Sequence, residues 1–192
     1  MALGRISFLC SGILALALAG CAGFRDADPW RWELQNHIAH LGARNWIVVA
    51  ESSFPAHSRK GVEQTVSSRE IPATLDEVLR TLEMTERVAP RIFTTRELHY
   101  IENDQAPGID EFRTALEAAL HGHSTTQLDY KALLLLLEDA EKTFDVLVIR
   151  TPTTLPYTSV FIELRPGYWD ADAETQLRRR IRAAKPNPLT PP

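Results

Sequence analysis

The stretch GARNWIVVAESSFPAHS, Gly42 to Ser58, carries the reading of the fold. Its apolar run Trp46 to Ala50 has no polar alternation and is rich in β-branched residues, so it is predicted as a strand buried on both faces. The run passes straight into Glu51, Ser53, Pro55 and His57. A carboxylate at the C-terminal end of a buried strand sits where open α/β sheets place ligand contacts. It can equally cap neighbouring backbone amides, and both readings of Glu51 stay open.

Upstream, DPWRWELQNHIAHLGARN reads as a helix with Asp28 as N-cap, Pro29 at the first helical position and Gly42 as terminator. Downstream, IPATLDEVLRTLEM sets Leu75, Val78, Leu79 and Leu82 on one stripe, and GIDEFRTALEAAL does the same with Ile109, Phe112, Leu116 and Leu120. RIFTT, DVLVIR and SVFIELR supply further strands, and DYKALLLLLEDAEKTF is a helix whose five consecutive leucines imply burial over most of its circumference. Strands alternating with helices predict a layered α/β sandwich.

The 192 residues carry a net charge of -4, which gives no support to nucleic-acid binding. At the N-terminus, Arg5 precedes an apolar run from Ile6 to Leu18 that ends in Leu18-Ala19-Gly20-Cys21. This resembles the signal and lipobox of bacterial lipoproteins. Residues 1–20 are then a removed signal, Cys21 is the lipidation site, and 21–29 are a lipidated tether ahead of a domain spanning 30–169. Cys10 falls in the removed segment, so no free thiol remains for catalysis or metal binding. A lipid anchor implies the bacterial cell envelope as location. Ala22, in place of an inner-membrane retention aspartate, favours the outer membrane or outer surface.

Residues 170–192 read as a basic C-terminal helix followed by a proline-rich tail. Acids come first, and Arg178, Arg179, Arg180, Arg182 and Lys185 follow, an order that complements a helix dipole. The cluster is either a solvated face or a patch for anionic lipid or cell-wall polymer.

FPAHS (Phe54 to Ser58), VIRT (Val148 to Thr151) and PYTS (Pro156 to Ser159), with Gly42 and the strand after it, resemble the RbsD/FucU family of ribose pyranases and fucose mutarotases. The resemblance covers roughly Leu34 to Gly167. It implies a three-layer sandwich around a mixed, mostly parallel sheet, a monosaccharide partner of fucose or ribose type, no cofactor, and a ring-like homo-oligomer with sites between subunits. It also implies roles for Glu51 and Tyr157 as catalytic candidates, with Ser53, His57 and Ser159 as sugar contacts.

The departures bear on activity. Mutarotation needs a base for the anomeric hydroxyl and an acid for the ring oxygen. The family's histidine position is Ala43, its aspartate two residues on is Asn45, a second basic position falls near Leu133 to Leu135, and the box aspartate is Glu51. Losing one positioned acid/base group removes about 10²–10⁴ of rate. Tyr157 alone, with an ordinary pKa of about 10, is a poor base at neutral pH.

His40 with His57 is a conceivable substitute pair, although both also read as polar residues at element ends. His37 with His40 and His121 with His123 each lack the further ligands of a metal site, so none is expected. Ser53 or Ser58 beside His57 lacks a nucleophile elbow. Three functions follow: a membrane-anchored sugar-binding domain with anomer interconversion lost or weak, an active mutarotase with rearranged acid/base residues, or a structural or protein-binding envelope lipoprotein.

Overall fold

The computed structural model describes residues 29–184. Along the chain run α1 (Pro29–His40), β1 (Trp46–Ala50), β2 (Val62–Val66), α2 (Ile71–Glu83), β3 (Val88–Thr95), a 3-10 turn (Glu97–His99), α3 (Ile109–Ala119), β4 (Thr125–Leu128), α4 (Tyr130–Ala140), β5 (Val146–Arg150), β6 (Val160–Pro166) and α5 (Ala171–Ala183). The strands form one sheet in the order β2-β5-β1-β6-β3-β4. β6 is antiparallel to β1 and β3, while β2 with β5, β5 with β1, and β3 with β4 are parallel. The C-terminal ends of all strands except β6 therefore share one edge, the upper edge, and β6 starts from it.

β1 is buried along its whole length. Its side chains alternate between two cores, as the two-residue period of a strand requires. Ile47 and Val49 point into a core shared with Leu34 and Ile38 of α1, Leu75 and Leu79 of α2, and Ile109 and Phe112 of α3. Trp46, Val48 and Ala50 point the other way, onto Phe54, Phe93, Phe161 and the inner stripe of α4. The result is a three-layer α/β sandwich, with three helices on one face and α4 on the other.

That asymmetry corrects one expectation. Only Leu133 and Leu137 of the leucine run are buried, whereas Leu135 is 57% and Leu136 43% exposed. α4 has no neighbouring helix on its layer, so one stripe meets the sheet and the opposite side meets solvent. Two strands carry no sequence expectation at all: β2 (VEQTV) and β4 (TTQL) occupy the two margins of the sheet, where residues are mostly exposed.

Of the capping residues expected for α1, Asp28 lies outside the described residues. Gly42 does not take the left-handed conformation. Arg44 does (φ 75), and its N–H donates to Leu164 O at 2.7 Å.

The two histidines after α3 tie that helix to α2. His121 Nε2 lies 2.6 Å from Asp76 Oδ1 and His123 Nε2 lies 3.2 Å from Glu83 Oε1. Arg80 Nε donates to Asp76 Oδ2 at 2.9 Å. Arg80 first, and His121 after it, hold the Asp76 carboxyl below its ordinary 3.8, against a smaller opposing effect of burial. A carboxylate whose folded pKa is depressed contributes stability above its unfolded pKa and loses it as the pH falls through the folded value. Asp76→Asn is therefore expected to flatten the loss of stability as the pH falls below about 4, read as the urea midpoint against pH.

Candidate functional site

The upper edge gathers the end of β1, the start of β6, the end of β3 and the start of α4. Glu51 follows β1 directly and is 8% exposed. Its Oε2 accepts hydrogen bonds from Thr158 N (3.1 Å), Ser159 N (3.2 Å) and Ser159 Oγ (2.9 Å), with Thr158 Oγ1 at 3.4 Å. Glu51 N donates back to Ser159 Oγ at 3.2 Å. One carboxylate oxygen thus holds two consecutive amides of the segment that leads into β6, and charge makes such bonds stronger than neutral ones.

The same turn places Tyr157. Its φ of 58 lies in the left-handed region, where a bulky residue is strained. Thr95 Oγ1 fixes it by donating to Tyr157 O at 2.5 Å, and the amides after it are fixed by Glu51. The Tyr157 ring is 39% exposed and meets the Tyr130 ring edge to face, 5.5 Å between centroids at 89°. Tyr130 stands on Phe161 in turn. Its backbone N–H donates to both carboxylate oxygens of Glu97 at 3.0 Å, so the 3-10 turn caps α4 from outside the helix. Burial, followed by the charges of Glu51 and Tyr157, pushes the Tyr130 pKa above its ordinary 10.0. Its hydroxyl is a donor at neutral pH.

This edge offers a buried carboxylate, two tyrosines and aromatic surface, a set that can hydrogen-bond and stack against a polyhydroxylated ring. Proton carriage is another matter. Among the described residues no histidine contacts Glu51. Ser159 Oγ is occupied by Glu51 on both sides, and Ser53 is exposed on the loop after β1.

His57 is placed elsewhere. Its Nδ1 lies 2.6 Å from Oε1 of Glu141, whose side chain is 2% exposed, and its ring stacks on Phe54 at 5.7 Å. The approach is close but off the line of a good hydrogen bond, and Nε2 is buried with no partner. Glu141 follows the last turn of α4, whereas Tyr130 opens it, so about 16 Å of helix separates the two groups. His40, the last residue of α1, lies on the other face of the sheet, with Nδ1 2.7 Å from Asn36 O. The structure does not join His40 and His57 into an acid/base pair.

Ala43 and Asn45 precede β1 and lie at its lower end, about 16 Å of strand from Glu51. A side chain at position 43 therefore cannot reach Glu51 within one protomer. His37, on α1, pairs with Glu63 of β2. Although His37, His40, Glu63 and Asp145 line one groove of about 280 Å³, no three metal-binding side chains among the described residues are grouped to share an ion.

Tyr130 and Glu141 were not foreseen. A tyrosine directly after Asp129 at a helix start was the available signal for the first. Glu141 sits among exposed acids in the sequence, and nothing there marks it as buried.

A sandwich of this topology belongs to the mixed α/β class. Among solved structures the chain is similar to RbsD of Bacillus subtilis complexed with D-ribose, at 18% identity and a TM-score of 0.50, over 69% of this chain and 91% of that one. It is also similar to the fucose mutarotase of Streptococcus pneumoniae in complex with L-fucose (20% identity, TM-score 0.46, 69% and 91% covered) and to FucU of Bifidobacterium longum (16%, 0.45, 70% and 92%). No protein-family model and no curated protein matches the chain. The fold is RbsD/FucU-like.

Removing the carboxylate strands two buried amides and a hydroxyl, so Glu51→Ala is expected to lower the unfolding free energy by about 2–3 kcal/mol and Ser159→Ala by about 1 kcal/mol, measured by urea titration. His57→Ala leaves the buried Glu141 carboxylate with only the half-exposed Arg59 guanidinium at 3.9 Å, with an expected loss of about 3 kcal/mol in the same measurement.

Proposed function

We propose that this protein is a membrane-anchored, monosaccharide-binding domain of RbsD/FucU-like fold in which sugar anomer interconversion is weak or lost. The observation that carries the reading is that, among the described residues, no imidazole contacts Glu51, whose Oε2 is bonded by Thr158 and Ser159. A pyranose at the upper edge meets Tyr157 and Tyr130 as apolar and hydroxyl surface, but among the described residues finds no imidazole in contact with Glu51 to shuttle its proton. The similarity to RbsD complexed with D-ribose supports a sugar as the ligand class.

Placement at the envelope rests on the Leu18 to Cys21 lipobox, with the outer membrane or outer surface as the destination. Self-association fits the separation of position 43 from Glu51. An assembly that sets the lower edge of one copy against the upper edge of the next brings Ala43, rather than a histidine, to the neighbour's carboxylate.

Saturation-transfer NMR on fucose, ribose and galactose tests the chemistry. Exchange at the buffer rate is expected, together with a sugar-dependent rise in melting temperature. That rise should vanish in Tyr157→Ala, whose affinity falls by roughly tenfold for loss of one aromatic contact. Exchange far above buffer that disappears in Glu51→Gln would establish an active mutarotase instead. A complete absence of sugar-dependent stabilisation would leave the structural or protein-binding envelope role.

A further inference from the structure

α5 stands apart from the sandwich. None of its residues is buried, and it follows β6 from the lower edge. A helix of 13 residues without packing is marginal in water. Its local support is limited to Asp170 accepting from Ala173 N at 2.7 Å, an ion pair of Glu174 with Arg178 at 2.6 Å, and Trp169 Nε1 donating to Glu174 at 2.8 Å. A covering surface is therefore required for the helix to persist.

The two sides of the helix say what that surface is. Leu177 and Ile181, one turn apart, are 37% and 54% exposed, and Trp169 at the helix start is 42% exposed. Arg178, Arg179, Arg180 and Arg182 occupy the flanks and back, four cations against Asp172 and Glu174, in a chain whose net charge is -4. The acidic remainder is repelled by an anionic surface, which leaves α5 as the element that such a surface attracts. A narrow apolar stripe, an aromatic at one end and arginines around it match a helix lying in a membrane interface.

We propose that α5 is a second membrane contact, lying in the plane of an anionic bilayer with Leu177 and Ile181 inserted, Trp169 and the Glu174 carboxylate it bonds held at the headgroup level, and the arginines on headgroup phosphates. The inference rests on the membrane-anchored reading. It extends that reading by fixing orientation. α1 begins at the upper edge and α5 leaves the lower one. The stretch from Cys21 to Pro29 can extend to about 26 Å, more than the roughly 16 Å height of β1. A lipid on Cys21 and α5 can thus meet one membrane plane when the strands lie along it.

The test uses the full-length chain on vesicles of phosphatidylcholine alone and of phosphatidylcholine with about one-quarter phosphatidylglycerol, with amide hydrogen exchange read over 171–183. Exchange roughly tenfold slower on the anionic vesicles is expected, reversing at about 0.5 M salt and in both Leu177→Asp and Arg179→Glu/Arg182→Glu. Retention on neutral vesicles reads the N-terminal anchor separately. Chain released from neutral vesicles while α5 is protected on anionic ones removes the anchor and keeps this contact. Chain retained on both with α5 exchanging freely overturns the contact and keeps the anchor. Protection without lipid that grows with protein concentration assigns α5 to a second copy and also overturns it.

Discussion

One carboxylate oxygen organises the upper edge. β6 is the antiparallel strand in an otherwise parallel sheet, so no crossover helix delivers its first residues to β1. Glu51 does so by taking the amides of Thr158 and Ser159 onto Oε2. Hydrogen bonds to a charged group contribute about 1.5–3 kcal/mol each, enough to offset the roughly 1–3 kcal/mol of holding Tyr157 left-handed just before them. The exposed tyrosine ring is thus a consequence of the clamp. The clamp is made by Oε2 alone, so Oε1 keeps its lone pairs for a ligand hydroxyl.

Five of the six imidazoles are engaged in architecture. His57 faces Glu141 under Phe54, His121 and His123 hold α3 to α2, His37 meets Glu63, and His40 contacts the carbonyl of Asn36. These five lie away from the upper edge, whereas the sixth, His99, is exposed on the 3-10 turn after β3 and lines a groove with Arg113 and Glu117 of α3. Under the proposed sugar-binding function the aromatic and hydroxyl groups at that edge suit holding over turnover, because a tyrosine whose pKa is raised by burial and by neighbouring negative charge donates a hydrogen bond readily at neutral pH.

What could be read from the chain follows from burial. β1, β5 and β6 are central strands, and α2 and α3 each present a regular apolar stripe, so their patterns stand out. β2 and β4 are marginal strands whose residues mostly face solvent, and Glu63, Gln64 and Gln127 give no apolar period to detect. The leucine run misled because composition records hydrophobicity without recording how many neighbours a helix has. At the site, Glu51 drew attention as a carboxylate at a strand end, whereas Tyr157 was named through the PYTS resemblance. Their union through Thr158 and Ser159 spans more than 100 residues of sequence, and the contact of Tyr130 with Tyr157 is likewise non-local. His57 with Glu141 is another long-range pairing, and no local pattern encodes it.

The persistence of a carboxylate at position 51 is weak support for catalysis, because the clamp alone requires it. Ala43 is exposed, and Asn45 makes only a long 3.5 Å contact to Asp145, so side-chain chemistry at those positions is nearly uncoupled from folding. Residues that carry protons from an exposed loop can be exchanged at little cost in stability, whereas a buried acceptor for two amides cannot. On the proposed reading of a domain that holds a sugar without converting it, the exposed loop from Gly42 to Asn45 is where proton carriers are exchanged at little cost to folding, whereas Glu51 is fixed by its two amides.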